Sequence, residues 1–223
     1  MTPERFQKLK SRLRRRQPDL TVLAENVHKS HNIAAILRSA DAVGIFGIHA
    51  VSESGEFRHH HMVSGGSRKW VEVSLHDDTG SAVRELRNEG FRIVAAHPGT
   101  AARDYREQDY TGRTAILLGA ELTGVTEAAL DLSDDRVTIP MEGMVASLNV
   151  SVAAALILFE ARRQRESAGM YADCRLDDDV FERTLFEWAY PELAVRCRQK
   201  DIAYPPLGAD GELLENPLAP RPS

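Results

Sequence analysis

Two cysteines, Cys174 and Cys197, in 223 residues are too few for a disulfide framework, which excludes the small crosslinked secreted folds and suits a reducing compartment such as the cytoplasm. Aromatic residues make up only 6%, so no extended aromatic platform for stacking bases is in view. The longest apolar run, Val150 to Phe159, is interrupted by Ser151 and is too short to cross a bilayer; neither membrane insertion nor a secretory leader is expected. The chain has no G-x-G-x-x-G fingerprint. It also lacks a G-x-x-x-x-G-K-[ST] phosphate loop, because Gly119 and Gly124 have that spacing but are followed by Val125 and Thr126. No Cys or His pair has zinc spacing, and His59-His60-His61 cannot direct three rings to one centre from a regular element, so no metal is expected. A G-x-S-x-G elbow is absent too. Nor is there a global excess of positive charge. With 28 basic and 33 acidic residues the net charge is −5, and any nucleic-acid surface must be a local patch.

Such a patch opens the chain: residues 1–16 carry Arg5, Lys8, Lys10, Arg12, Arg14, Arg15 and Arg16 against a single acid, Glu4. Phe6, Leu9 and Leu13 recur at three and four residues, which predicts a short helix with one apolar stripe, ended by Pro18. Its basic remainder is either a solvated face that keeps the protein soluble or an arm that binds nucleic acid. From Thr21 to Arg165, apolar runs of strand length alternate with amphipathic stretches, an α/β rhythm. Strands are predicted at Leu20 to Ala24, Gly47 to Val51, Val71 to Val73, Arg92 to Ala96, Thr114 to Leu118 and Arg136 to Ile139. The predicted helices are Asn32 to Val43, Ser81 to Asn88, Ala128 to Leu130 and Asn149 to Arg165. Runs such as Ala115-Ile116-Leu117-Leu118 are apolar on both faces, as in a parallel sheet covered by helices on each side. After Ala168-Gly169 the chain turns polar and acidic, then places Phe181, Leu185, Phe186 and Trp188 at helical spacing before an extended, proline-rich tail from Tyr204. The expected organisation is a basic helix in residues 1–20, an α/β domain over 21–165 and a helical extension with its tail over 166–223.

Three segments mix polar residues with glycine or small residues inside core-like sequence. In His31 to Arg38, Asn32 has the character of a helix N-cap, and Arg38 lies six residues on, on a different helical stripe at about 100° per residue. A cap followed by a surface arginine accounts for this segment as well as a site does. In Leu117 to Val125 an apolar strand runs into Glu121, flanked by Gly119 and Gly124; glycine lets backbone approach a ligand closely, though a solvated turn glutamate reads the same. In Ile139 to Ala155 a strand end gives way to a long apolar loop, which wants a ligand or partner to cover it, and then to a small-residue helix that a core also explains.

In this order the three segments resemble motifs 1, 2 and 3 of the SpoU branch of the SPOUT RNA methyltransferases, and the resemblance spans Thr21 to Arg165. The flanks, Arg14 to Val22 and Leu185-Phe186-Glu187 with Tyr190-Pro191, resemble the branch that acts on guanosine 18 of tRNA. What the resemblance implies goes beyond periodicity: a sheet whose C-terminal part is tied in a deep trefoil knot, a homodimer whose active site takes residues from both subunits, and methylation of the ribose 2′-hydroxyl of guanosine 18 in the tRNA D-loop. The implied cofactor is S-adenosylmethionine, released as S-adenosylhomocysteine and gripped by Ala96, His97, Gly99, Gly119, Gly124, Ile139, Met141, Ser147 and Leu148. Arg38 is implied to act on the attacking hydroxyl, either accepting its proton or stabilising the growing alkoxide. Asn32 would hold Arg38 or the ribose, and Asn32 and Arg38 would meet the motif 2 and 3 residues of the partner; Glu121 would order the knot loops at the subunit contact; Ser147 and Asn149 would fix the third motif near the methyl donor.

Cations available to a tRNA are Lys8, Arg12, Arg14, Arg15, Arg16, Arg58 beside His59 to His61, Arg68, Lys69 and the basic helix end at Arg162, Arg163 and Arg165. The rival expectations are 2′-O-methylation of a ribosomal RNA loop or of the tRNA wobble nucleotide, or a knotted tRNA-binding protein without catalysis.

Overall fold

Because side chains alternate across a strand, a strand covered on both faces must be apolar at every position, and the two most apolar runs here become the centre of the sheet. The computed structural model describes residues 1–51, 69–99, 102–215 and 217. Arg58, the His59 to His61 run and Arg68 lie outside the described residues. Among those described, Gln17–Met170 form one compact unit and Met1–Arg16 with Tyr171–Ser223 another.

The larger unit holds β1 (Leu20–Glu25), α2 (Ser30–Val43), β2 (Gly47–Val51), β3 (Glu72–His76), α3 (Thr79–Asn88), β4 (Arg92–Ala96), β5 (Arg103–Asp104), β6 (Thr114–Leu118), α4 (Glu127–Asp131), β7 (Asp135–Thr138) and α5 (Val150–Ser167); α1 (Pro3–Leu13) precedes them in the other unit. Its seven strands are parallel, in the order β3-β2-β1-β6-β4-β7-β5. β1 and β6 are buried throughout. Their alternate residues feed two cores. Val22, Ala24, Ile116 and Leu118 pack with Ile33, Ile36 and Leu37 of α2 and Ala154, Ile157 and Leu158 of α5. Leu23, Ala115 and Leu117 pack with Val83 and Leu86 of α3 and Ala129 and Leu130 of α4 on the opposite face. Helices therefore cover both faces, as the double-sided apolar runs require.

Differences from the sequence reading lie at element ends. β5 was not foreseen, since two residues show no periodicity. α2 begins at Ser30, so Asn32 is not its N-cap; Lys29 holds that place without a side-chain cap, and the Asn32 side chain is released for other work. Arg165, expected to face RNA, is fully buried. It donates Nη1 to Asp19 Oδ1 at 2.6 Å and to Gln17 Oε1 at 3.2 Å, Nη2 to the carbonyls of Asp19 (3.0 Å) and Gly112 (2.7 Å), and Nε to the Tyr110 carbonyl at 2.8 Å. All three guanidinium nitrogens are satisfied, the condition on which a buried cation is tolerated. Arg162 and Arg163 pair with Glu166 and Glu160 along the helix.

In the smaller unit Phe6, Leu9 and Leu13 of α1 are buried and the helix packs on α6 (Asp178–Ala189), which is followed by α7 (Pro191–Gln199). The stretch from Tyr204 to Leu213 is not a free extended tail. Tyr204 stacks on Phe186 with ring centroids 4.5 Å apart, Gly211 accepts a bond from the Tyr190 hydroxyl at 2.6 Å, and Leu207 bridges to Leu213. Arg16 is also a correction: only 4% exposed, its guanidinium lies 5.1 Å from the centre of the Trp188 ring, so it is a packing residue rather than an RNA contact.

Replacing Arg165 with Met leaves the Asp19 carboxylate buried without its cation, and chemical denaturation is expected to register a loss of about 3–5 kcal/mol. A loss below about 1 kcal/mol, the range of exposed pairs, would contradict the structural role assigned to it.

Candidate active site

Parallel strands bring their C-terminal ends to one edge, and there the ends of β4, β6 and β7 open into a cavity of about 290 Å³. Ala96 and His97 line it from β4, Gly119 to Gly124 from the turn after β6, and Ile139, Met141, Ser147 and Leu148 from the segment after β7. Eight of the nine residues expected to grip a cofactor thus share one cavity; Gly99 is exposed and does not line it. Leu118, Val137 and Ile157 supply apolar wall. Nδ1 of His97 is buried and has no hydrogen-bond partner among the described residues, a donor or acceptor left for something that enters the cavity.

The glycines of the turn that lines the cavity also let its two ends meet. A Cβ on Gly119 would lie 2.0 Å from the carbonyl carbon of Gly124, and Gly124 has φ +68°. The close approach is therefore between the two ends of the turn themselves, which are laced by Ala120 N–H to Gly124 O (3.1 Å) and Gly124 N–H to Ala120 O (2.8 Å).

Above the cavity runs a chain of side-chain hydrogen bonds with one direction. Ser151 donates both its N–H (2.9 Å) and its hydroxyl (2.6 Å) to Asn149 Oδ1; Asn149 Nδ2 donates to Asn32 Oδ1 at 3.1 Å; Asn32 Nδ2 donates to Glu121. The carboxylate, an acceptor only, ends the chain and so sets the orientation of both amides. Asn32 is buried, in the first turn of α2; Asn149 caps α5; the two helices pack side by side. Asn32 therefore reaches the second and third motifs within its own chain. Ser151 escaped the sequence reading, although a serine two residues after a capping asparagine is a pattern that could have suggested it.

Arg38 is not part of this chain. It is exposed, on a different stripe of α2 from Asn32, and makes no hydrogen bond among the described residues. Ser147 is exposed at the cavity rim, also without a bond from its hydroxyl among the described residues. Of the remaining cations, Lys8, Arg12 and Arg14 are exposed, Arg15 is exposed with its guanidinium 5.3 Å from the Tyr171 ring, and Lys69 is exposed over Trp70.

Metal-ligand chemistry is found elsewhere, where His49 of β2, His76 of β3 and Glu85 of α3 gather. His49 Nδ1 and His76 Nε2 are 2.9 Å apart, with ring centroids 5.1 Å apart and planes 21° from parallel. That is two rings end to end, their facing nitrogens already bonded to each other. Burial, with His76 alongside and against the pull of Glu85, lowers the pKa of His49 to about 4.

The family model described as SpoU rRNA Methylase family matches residues 19–159, and that described as SpoU, rRNA methylase, C-terminal, matches 163–216. The chain belongs to the SpoU rRNA methylase family. Among SpoU proteins, it is 48% identical to the tRNA (guanosine(18)-2′-O)-methyltransferase of Escherichia coli K12 over 96% of this chain and 94% of that enzyme. The crystal structure of an Aquifex aeolicus TrmH/SpoU tRNA modifying enzyme matches with a TM-score of 0.77 at 38% identity, over 85% of this chain and 97% of that one. The SpoU methyltransferase AviRb of Streptomyces viridochromogenes, solved in complex with the cofactor AdoMet, matches with a TM-score of 0.61 at 30% identity, over 68% and 60%.

Since Asn149 caps α5 and also feeds Asn32, Asn149→Ala is expected to lower methyl transfer by about 10²-fold or more while costing stability about 2–4 kcal/mol, from the lost cap and the Asn32 oxygen left without its donor. Steady-state turnover and melting temperature on the same preparation check this; a large fall in melting temperature with near-normal turnover would make Asn149 structural only.

Proposed function

We propose that this chain methylates the ribose 2′-hydroxyl of guanosine 18 in tRNA, with S-adenosylmethionine as donor, in the cytoplasm. The observation that carries the reading is that its likeness to the guanosine-18 enzymes runs through both flanks as well as the three motif segments. The cavity fits the cofactor. It is walled by apolar side chains, floored by backbone at a turn that tolerates no Cβ at Gly119, and carries the unpartnered His97 nitrogen. Ala96, His97, Gly119, Gly124, Ile139, Met141, Ser147 and Leu148 would hold the donor, which when bound supplies an electrophilic methyl group on a sulfonium.

The residues of the chain then have to place and activate the 2′-oxygen. Guanidinium groups stay protonated in proteins, so Arg38 orients the hydroxyl and stabilises the alkoxide as it forms, while water takes the proton. Glu121, held by Asn32, keeps the turn beside the cavity in register, and Ser147 with Asn149 fixes the segment after β7.

Two features support a knotted, dimeric arrangement. In the sheet β4 stands between β6 and β7, so the segment after β6 passes β4 before β7 forms, and the knot over these loops is what membership of the SpoU family implies. On α5, Val152, Leu156 and Phe159 are exposed at intervals of four and three, one apolar stripe suited to a second copy. Because Asn32 is buried within the chain while Arg38, on a different stripe of α2, is exposed, a second subunit offers Arg38 an active site to complete. For the tRNA phosphates, Lys8, Arg12, Arg14 and Arg15 in residues 1–20 and Lys69 are exposed among the expected cations.

The test is methyl transfer from labelled S-adenosylmethionine to unmodified tRNA transcripts, with the labelled nucleotide located by digestion and mass analysis. 2′-O-methylguanosine at position 18 is expected; label at another nucleotide, or on ribosomal RNA instead, would overturn the substrate, and no label the reaction. Arg38→Lys keeps the charge but loses the planar fork, and is expected to lower turnover by about 10²-fold or more. Near-normal turnover in that variant would remove the guanidinium-specific role.

A further inference from the structure

Glu25 ends β1, an interior strand of the sheet between β2 and β6, and is buried with 2% exposure. A carboxylate in such a place is costly unless donors converge on it. Three do. Oε1 accepts from the Thr79 hydroxyl at 2.8 Å and the Thr126 hydroxyl at 2.9 Å, and Oε2 accepts from the Thr126 N–H at 2.9 Å. The Thr126 hydroxyl also accepts from the Ala129 N–H at 3.2 Å, as the N-cap of α4, so its own hydrogen is free to point at Glu25. One carboxylate therefore takes both hydrogens that Thr126 can donate.

Thr126 stands two residues after Gly124, at the end of the laced turn that lines the cavity. At its start the turn is continuous with β6, hydrogen-bonded in register to β1. Its middle is held by Asn32 through Glu121, and its exit by Glu25 through Thr126. Apolar packing alone could bury the end of β1 at lower cost, but it has no directional grip on a single residue of the next segment. Thr79, the third donor, begins α3 and lines no part of the cavity.

We infer that Glu25 is a positioning residue for the cofactor cavity, fixing the Gly119–Gly124 turn by gripping Thr126. The inference rests on the methyl-transfer reading, because its probe is S-adenosylmethionine. Dissociation constants for S-adenosylmethionine are to be measured by calorimetry on the full chain, well below each melting temperature, for wild type, Glu25→Gln, Thr126→Val and Thr79→Val. Glu25→Gln and Thr126→Val are expected to weaken binding about five- to twentyfold, while Thr79→Val, which removes a bond to the same carboxylate on the side away from the turn, stays within about twofold. Should Glu25→Gln fail to fold, Thr126→Val against Thr79→Val carries the comparison. Wild-type affinity in both Glu25→Gln and Thr126→Val, or equal weakening in Thr79→Val, would leave Glu25 with a merely structural role and overturn the inference. A wild-type chain that does not bind S-adenosylmethionine would instead remove the methyl-transfer reading itself, and this inference with it.

Discussion

The arrangement of the site depends on the side-chain amide of Asn32, which gives a hydrogen to Glu121 and takes one from Asn149. An amide is the right group for this position because it is a donor at one end and an acceptor at the other, and so can join two segments without adding charge. Buried as it is, it would carry an unsatisfied polar atom if either partner were lost. The turn after β6 and the start of α5 are thereby coupled through α2. Each belongs to a different part of the sequence, and each lines or borders the same cavity.

The sheet makes that meeting possible. With every strand parallel, the ends of β4, β6 and β7 face one way, and the polar loops that follow them have no choice but to gather at that edge. Buried polar groups recur as fasteners around it. Arg165 locks the last turn of α5 to the segment before β1, and Glu25 holds the end of β1 to the start of α4. These fasteners satisfy nearly all their hydrogen-bonding capacity within the protein, which is why they can be buried at all. Of the buried polar atoms left without a partner among the described residues, His97 Nδ1 belongs to a residue that lines the cavity.

Strand and helix order was legible because double-sided burial writes itself as unbroken apolar runs, and Ala115 to Leu118 is buried at every position as its composition demands. The cavity residues were legible only through the resemblance; nothing in spacing brings Ala96, Gly119 and Ile139 together, since the strands that carry them are not sequential neighbours in the sheet. Charge misled where a partner was distant. Arg16 and Arg165 look like surface cations in a basic run, and only the fold shows one against Trp188 and the other against Asp19. For Asn32 the residues alone left a cap and a site equally open, because a cap and a buried bridge can begin with the same residue at nearly the same place. Glu25 carried no signal at all, for a single glutamate at a strand end belongs to no motif and its meaning lies in Thr126, a hundred residues on.

If Asn32 and Glu121 act as one unit, their contributions to catalysis cannot be independent. The decisive measurement is a double-mutant cycle on kcat/KM for methyl transfer to tRNA, using Asn32→Ala, Glu121→Ala and the double variant. The account predicts that the double variant is little worse than the more damaging single one, a coupling of about 1.5 kcal/mol or more. Losses that add within about 0.5 kcal/mol would contradict it, and would mean that the bond between them does not organise the site.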